Sequence, residues 1–241
     1  ILIWWFPIPK GYLKKIFIAS LIANTLQYSI TYTGLNLIDA SAAVLLVQTE
    51  VPFGVIFAYF MLKEKPTIRA LVGISVAFIG VYILTGSPNL DGKFIGIALT
   101  ILGSAIWALG QVIVKPLSKE INPLALVAWL AIFSGPILIG ISALIDGNTI
   151  NYLTEASLNH WMIAFYIGFI MQPITYGCFY YVLKNNPLYK VLPVVTMGIP
   201  PTGLLAAIFL LGEKPTSELF IGGGIIIIGV IMIVFTKKRK G

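Results

Sequence analysis

The stretch PFGVIFAYFMLKEKPT at residues 52–67 returns as PTGLLAAIFLLGEKPT at residues 201–216. Extended to 52–84 and 201–233, the two copies align without a gap and share 13 of 33 positions. Pro52 and Gly54 meet Pro201 and Gly203, and Glu64, Lys65, Pro66 and Thr67 meet Glu213, Lys214, Pro215 and Thr216. Gly73, Ile79, Gly80 and Val81 meet Gly222, Ile228, Gly229 and Val230. Common hydrophobicity accounts for scattered Ile and Val matches. It does not account for an identical polar tetrapeptide at a fixed distance after a Pro-x-Gly. The chain therefore carries an internal repeat offset by 149 residues, and such a repeat bounds the fold.

Around the repeat, the 241 residues are 58% hydrophobic and only 10% charged, against about 25% charged in a soluble domain. Mean hydropathy is +0.95. Too little polar surface is available to cover a soluble fold, which excludes a soluble enzyme, a disordered chain and a disulfide scaffold. A bilayer core takes about 20 apolar residues per helix. Eight runs fit: 16–38, 41–62, 68–85, 94–114, 124–145, 161–183, 190–211 and 218–235. The sequence thus predicts an all-α polytopic membrane protein. Alternate loops segregate the cations 14 against 2, so the positive-inside rule places both the chain start and the KKRK tail in the cytoplasm of a cell-membrane protein. The net charge of +7 then belongs to membrane topology and not to nucleic-acid binding. Cys178 reads as a small buried hydrophobe.

In this topology the first EKPT falls in a cytoplasmic loop and the second in an external one. The copies sit in the second and seventh runs, and an odd offset inverts a copy across the membrane. Inverted repeats mark secondary transporters, with the substrate site near the midplane between the halves. Residues 1–9, ILIWWFPIP, are too short to span and read as the tail of an earlier helix. A complete first copy would begin roughly 55 residues before Ile1. The expectation is two inverted five-helix repeats and ten spans in all, of which this chain holds eight and a remnant. The first repeat is 1–86, without its first span and most of its second; the second repeat is 94–235; a basic tail is 236–241.

The residues that carry this pattern resemble the EamA-like transporters of the drug/metabolite transporter superfamily. The marks are LKEKPT (62–67) and LGEKPT (211–216), the glycines seven apart at 73 and 80 and again at 222 and 229, and Ala105-Ile106-Trp107-Ala108 with the later Asn122-Pro123. The resemblance covers the whole chain. It implies two five-helix repeats and export of a small metabolite, such as an amino acid or a related compound.

The candidate site residues come from the polar atoms inside the runs. Glu50 is the only formal charge away from a run end, and a buried carboxylate costs roughly 2.5 kcal/mol or more on insertion scales, so it points to coupling or gating, with a proton as the coupling ion. Pro52 beside it removes a backbone donor. A stripe of Ser20, Asn24, Gln27, Tyr28, Thr31 and Tyr32 shares a helical face, mirrored by Gln172, Thr175, Tyr176, Tyr180 and Tyr181. A polar face in a bilayer must meet protein or water. The cavity candidates are Asn24, Gln27, Tyr28, Thr31, Gln48, Trp107, Gln111, Gln172, Tyr176, Tyr180 and Thr196; the hinge candidates are Pro52, Pro173, Pro200 and Pro201. Packing between helices is the alternative for each stripe. The glycine faces of 68–85 and 218–235 read as close helix packing. His160 stands alone at a run end, so no metal site, cofactor site or catalytic triad is expected and the chain is not an enzyme. The expected partners are a small-molecule substrate and the lipid bilayer. The rival reading is a lipid-carrier flippase subunit or a structural membrane protein.

Overall fold

The computed structural model describes residue 8 and residues 11–147, 149–196 and 198–234. The apolar start 1–9, apart from Ile8, and the tail 236–241 lie outside the described residues. Among the described residues every regular element is helical. Helix α1 covers 13–35 and α2 is Ala40–Leu62; α3 is Ile68–Thr85, α4 Phe94–Glu120 and α5 Pro123–Asp146. A short α6, Thr149–Glu155, precedes α7, Leu158–Asn185. Over the seventh run lie α8, Leu188–Thr196, and α9, Ile199–Leu211, and α10, Ser217–Val234, follows. Six of these stretches are long and apolar enough to cross a membrane, and Ser217–Ile233 is a shorter apolar helix.

Helix ends follow the local chemistry. The Asn122 side chain accepts from Leu124 N–H at 2.9 Å, with Pro123 opening α5. Gly147, at φ 68°, closes α5 in the left-handed region. Helix α4 runs to Glu120, beyond the run boundary at 114, with Pro116 carried inside it. Cys178 is exposed on α7. The expectation of a buried position is therefore corrected: the α7 face that bears it is unpacked, and a small thiol is tolerated on an apolar surface as readily as in a core.

The chain forms two compact units. One comprises residues 1–29 and 113–185, the other 30–112 and 186–241. They do not coincide with the sequence repeats, since each unit takes part of both copies.

In the second unit each repeat helix meets its own counterpart. A Cβ at Gly73 would lie 2.6 Å from the Gly229 carbonyl oxygen, and one at Gly80 2.7 Å from that of Gly222. Rising numbers on α3 face falling numbers on α10, so the helices are antiparallel, with glycines where the backbones touch. Gly54 of α2 backs onto Leu192 of α8, and Gly203 of α9 backs onto Val44 of α2, again antiparallel. Ala42, Leu46, Val55, Leu84, Ile226 and Val230 belong to the core of this unit.

The two EKPT segments are built alike. Leu62 is followed by Lys63 at φ 55°, and Leu211 by Gly212 at φ 68°. The Glu64 N–H then donates to the Ala58 carbonyl and the Glu213 N–H to the Ala207 carbonyl, each at 3.1 Å. This tight wrap closes a helix. Proline blocks its continuation, and the Thr67 and Thr216 hydroxyls accept from Ala70 and Leu219 N–H to start the next helix. The glutamates reach across the repeat. Glu64 accepts from Leu188 N–H at 3.3 Å and Tyr189 N–H at 3.5 Å, at the start of α8. Glu213 accepts from Ala40 N–H at 2.8 Å and Ser41 N–H at 2.9 Å, at the start of α2. Each carboxylate therefore satisfies unpaired donors at the positive end of a helix in the other copy. Burial pushes the Glu213 carboxyl up, but the hydrogen bonds from Ser41 and Ala40 and the Lys93 ammonium outweigh it and hold the group below its ordinary value. Lys93 also pairs with Asp39 at 2.9 Å, and Ser87 bonds Thr216 at 2.7 Å, at the same end.

Candidate functional site

A cavity of about 700 Å³ lies within the first unit. Asn24 and Tyr28 line it from α1; Leu124, Leu130, Ile132 and Ser134 are among its walls on α5; Gly168, Phe169, Gln172, Pro173, Tyr176 and Tyr180 line it from α7. The volume is in the range of small-molecule sites.

Local backbone irregularity aims the polar groups. In α1 residues Leu21–Leu26 form a π-helical turn, and Asn24 sits in it. In α7 residues Tyr166–Met171 form another, and Gln172 and Pro173 follow directly. Such wide turns recur at functional sites because they leave carbonyls loosely bonded and re-aim side chains. Gln172, Tyr176 and Tyr180 then repeat every four residues and share one face.

Among the described residues the lining holds no Asp, Glu, Lys, Arg or His. Its polar groups engage one another at long range: Asn24 Nδ2 donates to Ser134 Oγ at 3.3 Å, and Gln172 Nε2 donates to the Tyr28 hydroxyl at 3.4 Å. Hydrogen bonds this long are weak. The Tyr176 and Tyr180 rings lie 5.8 Å apart beside Phe179. The cavity offers amide donors and acceptors at one side and aromatic and aliphatic surface elsewhere.

Five sequence candidates are thus brought together: Asn24, Tyr28, Gln172, Tyr176 and Tyr180. Gln27 is buried in the same unit outside the lining. Thr31 lies against Gly103 in the second unit, where Trp107 is half-buried. Tyr32 and Tyr181 are exposed and do not line the cavity. Gln48 and Gln111 are each 1% exposed, and the Gln48 Nε2 and Gln111 Oε1 atoms lack hydrogen-bond partners. Thr196 donates to the Leu192 carbonyl at 3.0 Å. Glu50 is 4% exposed, with its Oε1 unpartnered. It opens Glu50–Leu62 just after a 3-10 turn, Val47–Thr49, and two residues ahead of Pro52, which has no N–H to give; the Gln48 carbonyl accepts instead from a backbone N–H at the end of the 3-10 turn. Pro200 and Pro201 lie in the first turn of α9. The α5 wall escaped the sequence reading. Ser134-Gly135-Pro136 in mid-run was the signal for it.

Among the described residues no three His, Cys, Asp or Glu side chains gather to hold a metal. The long apolar helices make the chain a multi-pass membrane protein. The chain belongs to the EamA-like transporter family, whose profile matches residues 1–86 and 94–235. An uncharacterized transporter of Clostridium kluyveri is 30% identical over 237 residues, covering 95% of this chain and 73% of that protein. A probable amino-acid metabolite efflux pump of Escherichia coli is 26% identical over 241 residues, covering 96% and 80%. One crystal structure shares the fold at a TM-score of 0.64 with 15% identity, covering 95% of this chain and 79% of that one. The protein is therefore a membrane transporter and not an enzyme. Its partners are a small-molecule substrate and the lipid bilayer.

Proposed function

We propose that the protein exports a small amino-acid-related metabolite by alternating access, with the cavity of Asn24, Tyr28, Gln172, Tyr176 and Tyr180 receiving the substrate. That cavity is the observation that carries the reading; the Escherichia coli relative, named a probable amino-acid metabolite efflux pump, supports the substrate class and the direction. Residues 1–86 and 94–235 are two inverted repeats of a ten-span architecture, with the C-terminus cytoplasmic. The antiparallel pairing of α3 with α10, each the other's repeat counterpart, supports inversion. So does the charge segregation of the loops. Glu50 gates or couples transport through a proton, in keeping with a buried carboxylate that has an unpartnered oxygen. Pro52 and Pro173, each near a helix irregularity, and Pro200 and Pro201, in the first turn of α9, mark the hinges.

The test compares extracellular amino-acid metabolites from cells making the wild type, Gln172→Ala and Glu50→Gln. A metabolite that accumulates outside with the wild type, falls at least about tenfold with Gln172→Ala and loses its pH dependence with Glu50→Gln supports the reading. Equal export by wild type and Gln172→Ala removes the cavity from it. Full-rate transport with unchanged pH dependence in Glu50→Gln removes the proton coupling.

A further inference from the structure

Three helices of the second unit meet at one point. A Cβ at Gly54 of α2 would press into the Leu192 side chain of α8 and lie 3.9 Å from the Ala108 Cβ of α4. Leu192 and Ala108 are fully buried. A second contact fixes the direction of each helix. Lys93, just before α4, pairs with Asp39, just before α2. In that contact and in the one between Gly54 and Ala108 the residue numbers differ by 54, so α2 and α4 run side by side in the same direction. Helix α8 runs the other way, since Glu64, beyond the end of α2, accepts from the Leu188 N–H at the start of α8. Four residues along a helix return the same face one turn on. One turn back from Gly54 stands Glu50. The same step leads from Ala108 to Ser104 on α4, and from Leu192 to Thr196 on the oppositely directed α8. Glu50, Ser104 and Thr196 therefore share one level on the three faces that meet, and they are 4%, 3% and 2% exposed. Gln48, two residues from Glu50, belongs to the other side of α2, and Gln111 lies beyond Ala108, away from this level.

The level is made of acceptors. Glu50 Oε1 has no hydrogen-bond partner, and among the described residues no cation pairs with its carboxylate. Ser104 donates its hydroxyl to the Thr100 carbonyl at 2.9 Å, and Thr196 donates its own to the Leu192 carbonyl at 3.0 Å. Each hydroxyl proton is thus directed along its own helix, which leaves the oxygen lone pairs for another partner. A buried carboxylate without a counter-charge is costly. A hard cation answers all three oxygens at once. One carboxylate balances one positive charge, so a divalent ion would leave a net charge buried. With one acid and two hydroxyls, the set also lacks the His, Cys or paired acids that hold a transition metal. We propose that Glu50, Ser104 and Thr196 form a binding site for one small alkali cation such as sodium. The proposal rests on the coupling reading of Glu50 and deepens it: the proton and the alkali ion compete for the same carboxylate.

The test is equilibrium binding of radioactive sodium to the purified full chain in lipid nanodiscs, with choline chloride holding the ionic strength. The wild type should bind one sodium ion per chain and release it in acid. Glu50→Gln should bind none. Ser104→Ala and Thr196→Val should each weaken the affinity at least about tenfold, and Thr196→Ser, which keeps the hydroxyl, should stay within about threefold of the wild type. Asp39→Asn removes a carboxylate outside the site and should bind as the wild type does. Circular dichroism shows that each variant keeps its helices. No sodium on the wild type overturns the site, and so does equal binding by Glu50→Gln. Unchanged affinity in both Ser104→Ala and Thr196→Val overturns the set of three oxygens. A loss in Asp39→Asn equal to that in Glu50→Gln means attraction to surface charge and overturns it too. The assay needs neither substrate nor transport, so a failed sodium site and a failed pH dependence of export are separate results.

Discussion

The two EKPT corners share sequence, helix wrap and capping hydroxyl, yet stand in different surroundings. Around Glu64 the repeat positions hold Lys63, Arg69 and Lys190; the matching positions around Glu213 hold Gly212, Glu218 and Ser41. The Glu213 clasp is about half an ångström shorter and is joined by the Lys93–Asp39 pair. The shared tetrapeptide thus does architectural work, tying each copy to the other through a helix N-terminus. The unshared residues differ in charge: the Glu64 corner adds three cations, whereas the matching positions at the Glu213 corner add a glycine, an acid and a serine.

The largest way to break this comparison is to drive the glycine crossing apart. A Cβ at Gly229 would meet the Ala77 nitrogen at 2.5 Å and the Gly73 carbonyl oxygen at 2.6 Å, whereas one at Gly224 meets nothing within 4 Å. Gly229→Leu should therefore cost about 3 kcal/mol, read as a lowered unfolding temperature in detergent, and Gly224→Ala should leave it nearly unchanged. Equal effects would show that the crossing does not hold the corners together.

The clasps come next. Glu213→Ala should cost about 1.5 kcal/mol and Glu64→Ala about 0.5 kcal/mol, since hydrogen bonds to charged groups contribute most when short. Glu213 has a lowered pKa, so its contribution is complete above the ordinary value of 4.5 and is lost as pH falls through the lowered folded value. The gap between wild type and Glu213→Ala should hold from about pH 8 to pH 5 and close in stronger acid, as read by unfolding at each pH. A larger loss from Glu64→Ala would reverse the order of the two corners.

The wrap itself comes last, with effects of about 1 kcal/mol or less. Lys63 is the only non-glycine residue at positive φ among the described residues. A side chain there costs about 1 kcal/mol in the left-handed region. Lys63→Gly should recover part of that cost, roughly 0.5 kcal/mol, and Gly212→Lys should lose about 1 kcal/mol. Thermal unfolding of the two variants checks the sign of each.

Much of this was legible in the sequence, and for a physical reason. A bilayer demands long apolar runs, so the eight runs coincide with helices, and a repeat with an intact polar tetrapeptide stands out against apolar drift. The cavity was half legible. Asn24 and Tyr28, like Gln172, Tyr176 and Tyr180, announce themselves by fourfold spacing. Gln27 and Thr31 share the stripe by spacing but are not in the lining, and the wide turn at Leu21–Leu26 departs from the regular helical period on which that stripe is read. The α5 wall was hidden because an apolar cavity lining and a lipid-facing surface use the same residues. The task of the EKPT glutamates was also illegible. It depends on which helix start lies opposite, and that is settled only by the antiparallel pairing of α2 with α8 and α9.

The central claim, that the two corners are one device inverted across the membrane, is tested most directly by sidedness. Lys65→Cys and Lys214→Cys, each in a Cys178→Ser background, are labelled in intact cells with a membrane-impermeant maleimide, before and after permeabilisation. The account predicts that the cysteine at 214 is labelled in intact cells and the one at 65 only after permeabilisation. Labelling of both from the same side would contradict it.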